Sequence, residues 1–226
     1  MDKLKIHIRE RDNGWNFTLL GLVLFEIFLI PFFPLTWHRT LYAGLYTLIF
    51  LAATFTTVRN RKKIMPVALA AILIQWISII IYLPLMIYLS TFMNILFFGI
   101  VVTDMVRQLI LAPRVSIKVI VESVIVYLLI GLTFTMVISF IIALDHGAFS
   151  FKEIDISETG PVSRASEYIY YVFITMCTVG YGDIVPLDQY ARSIAVLMSV
   201  TGQFYMAIII SLLVGKYLNQ ARQADE

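Results

Sequence analysis

Six apolar runs constrain this chain more than any other feature. They fall near residues 15 to 35, 41 to 58, 65 to 88, 91 to 111, 117 to 144 and 189 to 217. About 20 apolar residues let a helix cross the hydrocarbon core of a bilayer, and a spanning segment there must satisfy its own backbone N–H and C=O groups. Each run therefore reads as a membrane helix, and the expected fold class is an all-α membrane protein. Composition agrees: hydrophobic residues make up 60% and charged residues 14%, with a mean hydropathy of +0.86, more apolar surface than a soluble fold of this size could hide. The net charge of +2 is too small to suggest nucleic acid as a partner; membrane lipids are the expected surroundings.

Basic residues divide unequally between the two sides. Lys3, Lys5, Arg9 and Arg11 precede the first run. Arg59, Arg61, Lys62 and Lys63 follow the second, Arg107, Arg114 and Lys118 lie around the end of the fourth, and Lys216 and Arg222 lie near the chain's end. Alternate connections thus hold 13 of the 17 basic residues, leaving Arg39, Lys152, Arg164 and Arg192 for the opposite side. Loops retained in the cytoplasm carry the excess of Lys and Arg, so both termini are expected to be cytoplasmic. The first run is preceded by acidic as well as basic residues and lacks a small-residue cleavage site, so it reads as a retained helix rather than a signal peptide. The expected location is a cell membrane, and the compact chain points to a prokaryotic plasma membrane.

The outer connection between the fifth and sixth runs is a polar stretch followed by a short half-helix and the hexapeptide Thr178-Val179-Gly180-Tyr181-Gly182-Asp183. This reads as a re-entrant loop, since non-helical backbone at membrane depth is tolerated only inside protein or beside water. Gly180 and Gly182 lack a Cβ and can adopt backbone angles closed to other residues, which lets successive carbonyls face one axis. A dehydrated potassium ion needs rings of oxygen that replace its water shell, and four TVGYG loops supply them from the main chain. Thr178, Val179, Gly180 and Tyr181 are expected to offer carbonyl oxygens to K+, with the Thr178 hydroxyl as an innermost ring, Gly182 completing the ion-binding loop and the Tyr181 ring as a spacer behind it. One chain cannot close such a ring, so the expected assembly is a homotetramer. The competing reading is a glycine-rich turn between two helices; such a turn would not need Thr-Val before it.

With this hexapeptide, the stretch Tyr170-Tyr171-Val172-Phe173-Ile174-Thr175-Met176-Cys177 before it and the apolar run containing Gly202 after it, the chain resembles the tetrameric potassium channel family, in its six-transmembrane prokaryotic form. The resemblance is specific over roughly residues 166 to 217 and architectural before that. It implies a voltage-sensor-like four-helix domain over residues 1–111, a linker over 112–118, a pore domain over 119–217 with outer helix, pore helix, selectivity filter and inner helix, and a short cytoplasmic tail over 218–226. It further implies passive K+ flow with no enzymatic activity and no cofactor beyond the permeant ion. The chain departs from the commoner pattern by carrying Tyr170 and Tyr171 where voltage-gated relatives usually have two tryptophans, and Cys177 where they have threonine. By resemblance, one of the two tyrosines braces the filter through Tyr181 or Asp183; the alternative is that both only fill space between subunits. The alternative function is a weakly selective monovalent cation channel of the same fold.

A voltage sensor needs several charges, because each contributes about 2.3 kcal/mol per 100 mV. The fourth run offers only Arg107, three residues from Asp104 and placed to pair with it locally, so weak or absent voltage gating is expected. Glu26, Gln75 and Glu122 are further polar residues inside runs. Helix–helix hydrogen bonding is the expected role of Glu26 and Gln75, against a functional role as intramembrane ionisable groups. Pro113 marks the joint before the pore domain. The acidic outer segment from Asp145 to Glu167, with Glu153, Asp155 and Glu158 against Lys152 and Arg164, reads either as a mouth that concentrates cations or as ordinary solvated loop.

On the last run, Gln203, Met206, Ile210 and Val214 share a helical face and are expected to line the inner cavity, where apolar walls gate by dewetting. Gly202 offers a bend above them or a close-packing point, and the filter itself is an alternative gate. The short tail leads to the expectation of no cytoplasmic regulatory domain. His7, His38, His146 and the single Cys177 are too scattered for a metal site. No paired helix interruptions suggest a transporter, and no catalytic groups cluster.

Overall fold

The computed structural model describes residues 14–57, 61–81, 83–151 and 165–225. The N-terminal basic residues, Arg59 and the acidic outer segment from Lys152 to Arg164 lie outside the described residues. Among the described residues seven α-helices run in order: α1 (Trp15–Phe28), α2 (Leu35–Thr56), α3 (Arg61–Ile81), α4 (Pro84–Leu111), α5 (Ile117–Leu144), α6 (Ala165–Met176) and α7 (Gln189–Asp225). Five helical segments are long and apolar enough to cross a membrane. They make this an all-α membrane protein. The helix α2 is not among the five. Its first turns carry His38 and Arg39, and Thr and Tyr residues dilute the rest, although its 22 residues suffice in length.

Prolines correct two expected boundaries. The run from 15 to 35 breaks after Phe28, where Pro31 enters a 3-10 turn over Ile30–Phe32 and Pro34 precedes α2. Proline lacks an N–H and clashes with the preceding turn, so a helix stops there. The third run, expected to 88, ends at Ile81, and Pro84 opens α4 at a position where a missing N–H costs nothing.

Helix α1 packs on α2 and α5, α3 on α2 and α4, and α4 on α5. The interior of the α1–α4 bundle centres on Phe50, Phe97 and Phe98, all fully buried, with ring centroids 4.5 to 5.7 Å apart. Aromatic pairs in this range add to the burial itself. Polar groups bridge helices where they are buried. The Asn16 amide donates to Glu122 across α1 and α5 at 2.6 Å, and Gln75 donates to the Ala43 carbonyl on α2 at 3.1 Å, as its position led us to expect. Glu26, fully buried, meets the Tyr46 side chain of α2, the helix–helix contact expected of it, although neither carboxyl oxygen reaches strict hydrogen-bond geometry.

Lys216 of α7 donates to three carbonyls that α4 leaves open, those of Leu109, Ile110 and Ala112, at 2.9, 2.9 and 2.7 Å. A lysine there satisfies orphan acceptors and the negative end of the helix dipole together. Gln220, one turn further, accepts from the Val115 backbone at 2.9 Å. Two short strands complete the fold. β1 (Phe149–Phe151) pairs antiparallel with β2 (Ile184–Pro186), with Ser150 opposite Val185. This ladder, which no sequence pattern indicated, ties the end of α5 to the exit of the hexapeptide.

Candidate functional site

The helix α6 is a twelve-residue segment wedged between α5 and α7. Its inward residues Tyr168, Ile169, Val172 and Met176 are buried. Phe173 lies against Gly131 of α5, where an added Cβ would sit 2.4 Å from the ring, so any larger residue at 131 would force the ring to move. Tyr171 is also buried and meets Phe149 of β1 edge-on, at a centroid distance of 5.4 Å.

A helix end leaves its last four carbonyls without partners. Here all four are accounted for. Phe173 O accepts from Cys177 N at 2.9 Å, and Ile174 O accepts from both Val179 N at 2.9 Å and Gly180 N at 3.2 Å. Thr175 O accepts from Thr178 N at 3.0 Å and from the Ser199 hydroxyl at 3.4 Å. Met176 O accepts from the Gln203 amide at 3.1 Å. The N–H groups of residues 177 to 180 are thereby turned back into α6.

The backbone beyond is unusual in a regular way. Thr178, Gly180 and Gly182 have φ of +61°, +53° and +75°. No other described non-glycine residue has a positive φ. In an ordinary strand, successive residues face opposite sides. A left-handed residue at every second position reverses every second peptide unit and brings the carbonyls to one side. Around Gly180 and Gly182 a Cβ would meet nothing within 4 Å, so conformation, not space, requires glycine there. Thr178 is β-branched and has no such freedom; its strain costs about 1–3 kcal/mol and persists only where the surroundings over-determine it. Sequence reasoning singled out Thr178 for its carbonyl and hydroxyl but did not foresee its left-handed backbone.

Side chains hold the outer end of the loop. The Tyr170 hydroxyl donates to Asp183 Oδ2 at 2.6 Å, and Asp183 Oδ1 accepts from Ile184 N at 3.0 Å. The Asp183 carboxylate that accepts the bond pushes the Tyr170 phenol up to about 12. Of the two tyrosines expected behind the loop, Tyr170 therefore meets Asp183, whereas Tyr171 packs against Phe149. At the inner end, the Tyr127 hydroxyl of α5 lies 3.4 Å from the Cys177 sulfur. Tyr205 of α7 tilts against Tyr127 at 5.9 Å and donates to the Ser123 carbonyl at 2.6 Å. Tyr127, Ser199 and Tyr205 were not singled out from the sequence, although a hydroxyl inside an apolar run was a usable signal for the first.

The helix α7 runs unbroken through Gly202, which serves close packing: a Cβ there would lie 2.9 Å from Met176 O. Met206, Ile210 and Val214 are half exposed on α7. Only 17% of the most apolar stretch of α7 is buried, against 56% for α5, and Val179 and Tyr181 are exposed as well. Asp188 caps the start of α7 by accepting from Ala191 N. Asp104 of α4, expected to pair with Arg107, is buried and accepts from Gln108 at 3.1 Å, while Arg107 is exposed.

Residues 126–219 match the family model described as ion channel. Two curated relatives align over part of the chain. The two-pore potassium channel 5 of Arabidopsis thaliana is 39% identical over 62 residues, 27% of this chain and 14% of the relative. The two pore potassium channel c of Oryza sativa subsp. japonica is 30% identical over 63 residues, 28% of this chain and 14% of the relative. The chain thus spans about a seventh of the length of the relatives it matches. No solved structure matches it.

Proposed function

We propose that this chain forms a potassium-selective channel as a homotetramer, with Thr178, Val179, Gly180, Tyr181 and Gly182 of each subunit building the selectivity filter and K+ seated at the carbonyls of Thr178 to Tyr181. The observation that carries the reading is the left-handed backbone at Thr178, Gly180 and Gly182. A one-sided line of carbonyls is what an ion stripped of water requires, and four such lines make a ring. The ion-channel match over residues 126–219 and the potassium-channel relatives support it.

Exposed apolar surface on a membrane helix alone would suit lipid. Val179 and Tyr181 sit on an ordered loop instead, beside an α7 that finds few partners within its own subunit. Surface of that kind marks a contact with other subunits. In the assembly, α5 to α7 form the pore and α1 to α4 the peripheral bundle, with both termini cytoplasmic. Tyr170 and Asp183 brace the filter's outer end. Met206, Ile210 and Val214 line an apolar inner cavity beneath Gly202 and Gln203, suited to gating by dewetting. Arg107 is the only basic residue within α4, so four subunits carry four candidate charges, too few for steep voltage dependence at about 2.3 kcal/mol each per 100 mV.

The test is flux from liposomes carrying the purified protein. Vesicles loaded with K+ and diluted into Na+ are expected to lose K+ and build an inside-negative potential, and Gly180→Ala is expected to abolish this. Equal flux of both cations, or unchanged flux in the variant, would refute the assignment.

A further inference from the structure

The helix α7 comes close against α6 at one peptide unit, the one joining Met176 to Cys177. Gly202 brings the α7 backbone against it, since a Cβ there would lie 2.9 Å from the Met176 oxygen and 3.0 Å from its Cβ. The next residue, Gln203, donates its amide to that same oxygen at 3.1 Å. The N–H of the unit donates to Phe173 O at 2.9 Å. A peptide unit is planar, so fixing its two polar ends fixes its orientation. One end is held by α6 and the other by α7.

This unit opens onto the most strained backbone among the described residues. Cys177 leads directly into Thr178, whose left-handed conformation begins the alternation completed at Gly180 and Gly182. Such a conformation persists only when neighbours enforce it. The N–H groups of residues 177 to 180 are all held by α6, so the hydrogen bonds that reach this turn from α7 are those of Gln203 and, at 3.4 Å, Ser199.

We infer that Gln203 is a positioning residue for the filter: by holding the Met176 carbonyl it orients the peptide that enters Thr178, and so makes ion selectivity depend on how α7 is seated. This rests on the channel reading and deepens it. The Gln203 amide is spent on the filter's base and does not serve as a polar group of the cavity wall. A displacement of α7 at this level reaches the filter through one hydrogen bond.

The experiment compares the wild-type protein with Gln203→Leu, Gly202→Ala and the double variant in planar bilayers, reading the K+/Na+ permeability ratio and the decay of current at constant voltage. Leucine keeps most of the volume but donates nothing. Alanine pushes α7 off the same carbonyl without touching Gln203, so the pair also guards against a variant that fails to assemble. Each single change is expected to lower the permeability ratio by up to about tenfold, the worth of one hydrogen bond, and to speed the decay. The double variant is expected to be no worse than the worse single, because both act on one contact. A wild-type ratio in an intact Gln203→Leu assembly, or losses that multiply in the double variant, would overturn the inference. A wild-type protein that does not distinguish K+ from Na+ would overturn the channel reading beneath it.

Discussion

Replacing Gly182 separates backbone handedness from every other property of the filter. At φ +75°, with nothing of its own chain within 4 Å of the place an L-residue's Cβ would occupy, a methyl group in the L position meets no clash there. An L-alanine in the left-handed region costs about 1–2 kcal/mol. In the proposed tetramer, four such residues raise this to about 4–8 kcal/mol for the conducting state. A D-alanine, for which a positive φ is the favoured sign, carries no such cost and has less freedom in the unfolded chain than glycine. Semisynthetic protein carrying each enantiomer, reconstituted and assayed for K+ current, is expected to give little or no current with L-alanine and near wild-type current with D-alanine. Equal currents from the two would refute the claim that left-handed backbone is what the loop requires, and a loss with both would mean that the added methyl itself obstructs the path.

Other contacts lead to three further expected outcomes. Gly131→Ala drives a methyl group into the Phe173 ring, 2.4 Å away; overpacking of this kind costs about 1–3 kcal/mol, to be seen as a lower melting temperature that Phe173→Leu partly restores. Lys216→Met leaves three carbonyls at the end of α4 without a donor, a loss of about 1–2 kcal/mol given partial solvent access, whereas Lys216→Arg keeps most of the stability in the same melting assay. Tyr170→Phe removes the bond to Asp183 and is expected to speed the decay of current. Because the folded-state phenol titrates above its ordinary 10.0, that bond is complete below pH 10.0 and declines only as pH rises through about 12. Wild-type decay is therefore expected not to change between neutral pH and about pH 10 on account of this group.

The helices were legible because membrane burial forces long apolar runs, and that signal is local. Their ends were less so. Pro31, Pro34 and Pro84 set three of them, whereas α3 runs on through Pro66, and a hydropathy run does not tell the two kinds of proline apart. The hexapeptide was legible as a motif, and glycine's freedom at 180 and 182 pointed to the conformation found there. The backbone of Thr178 was not legible, because threonine resists a positive φ and only the surrounding bonds reveal why it is held. The ladder between residues 149–151 and 184–186, the bond from Asn16 to Glu122 and the Lys216 contacts join positions 33 to 107 apart in sequence, and no local pattern encodes such partners. Gly202 was readable as either a bend or a contact point; the choice depended on Met176, which belongs to another helix.

The central claim is that four copies of this loop select potassium. The measurement that meets it most directly is the reversal potential of the purified protein in a planar bilayer, with K+ and Na+ present on both sides in opposing gradients. The account predicts a value close to the potassium equilibrium potential. A reversal potential near zero with robust current would contradict it and establish a weakly selective cation channel instead.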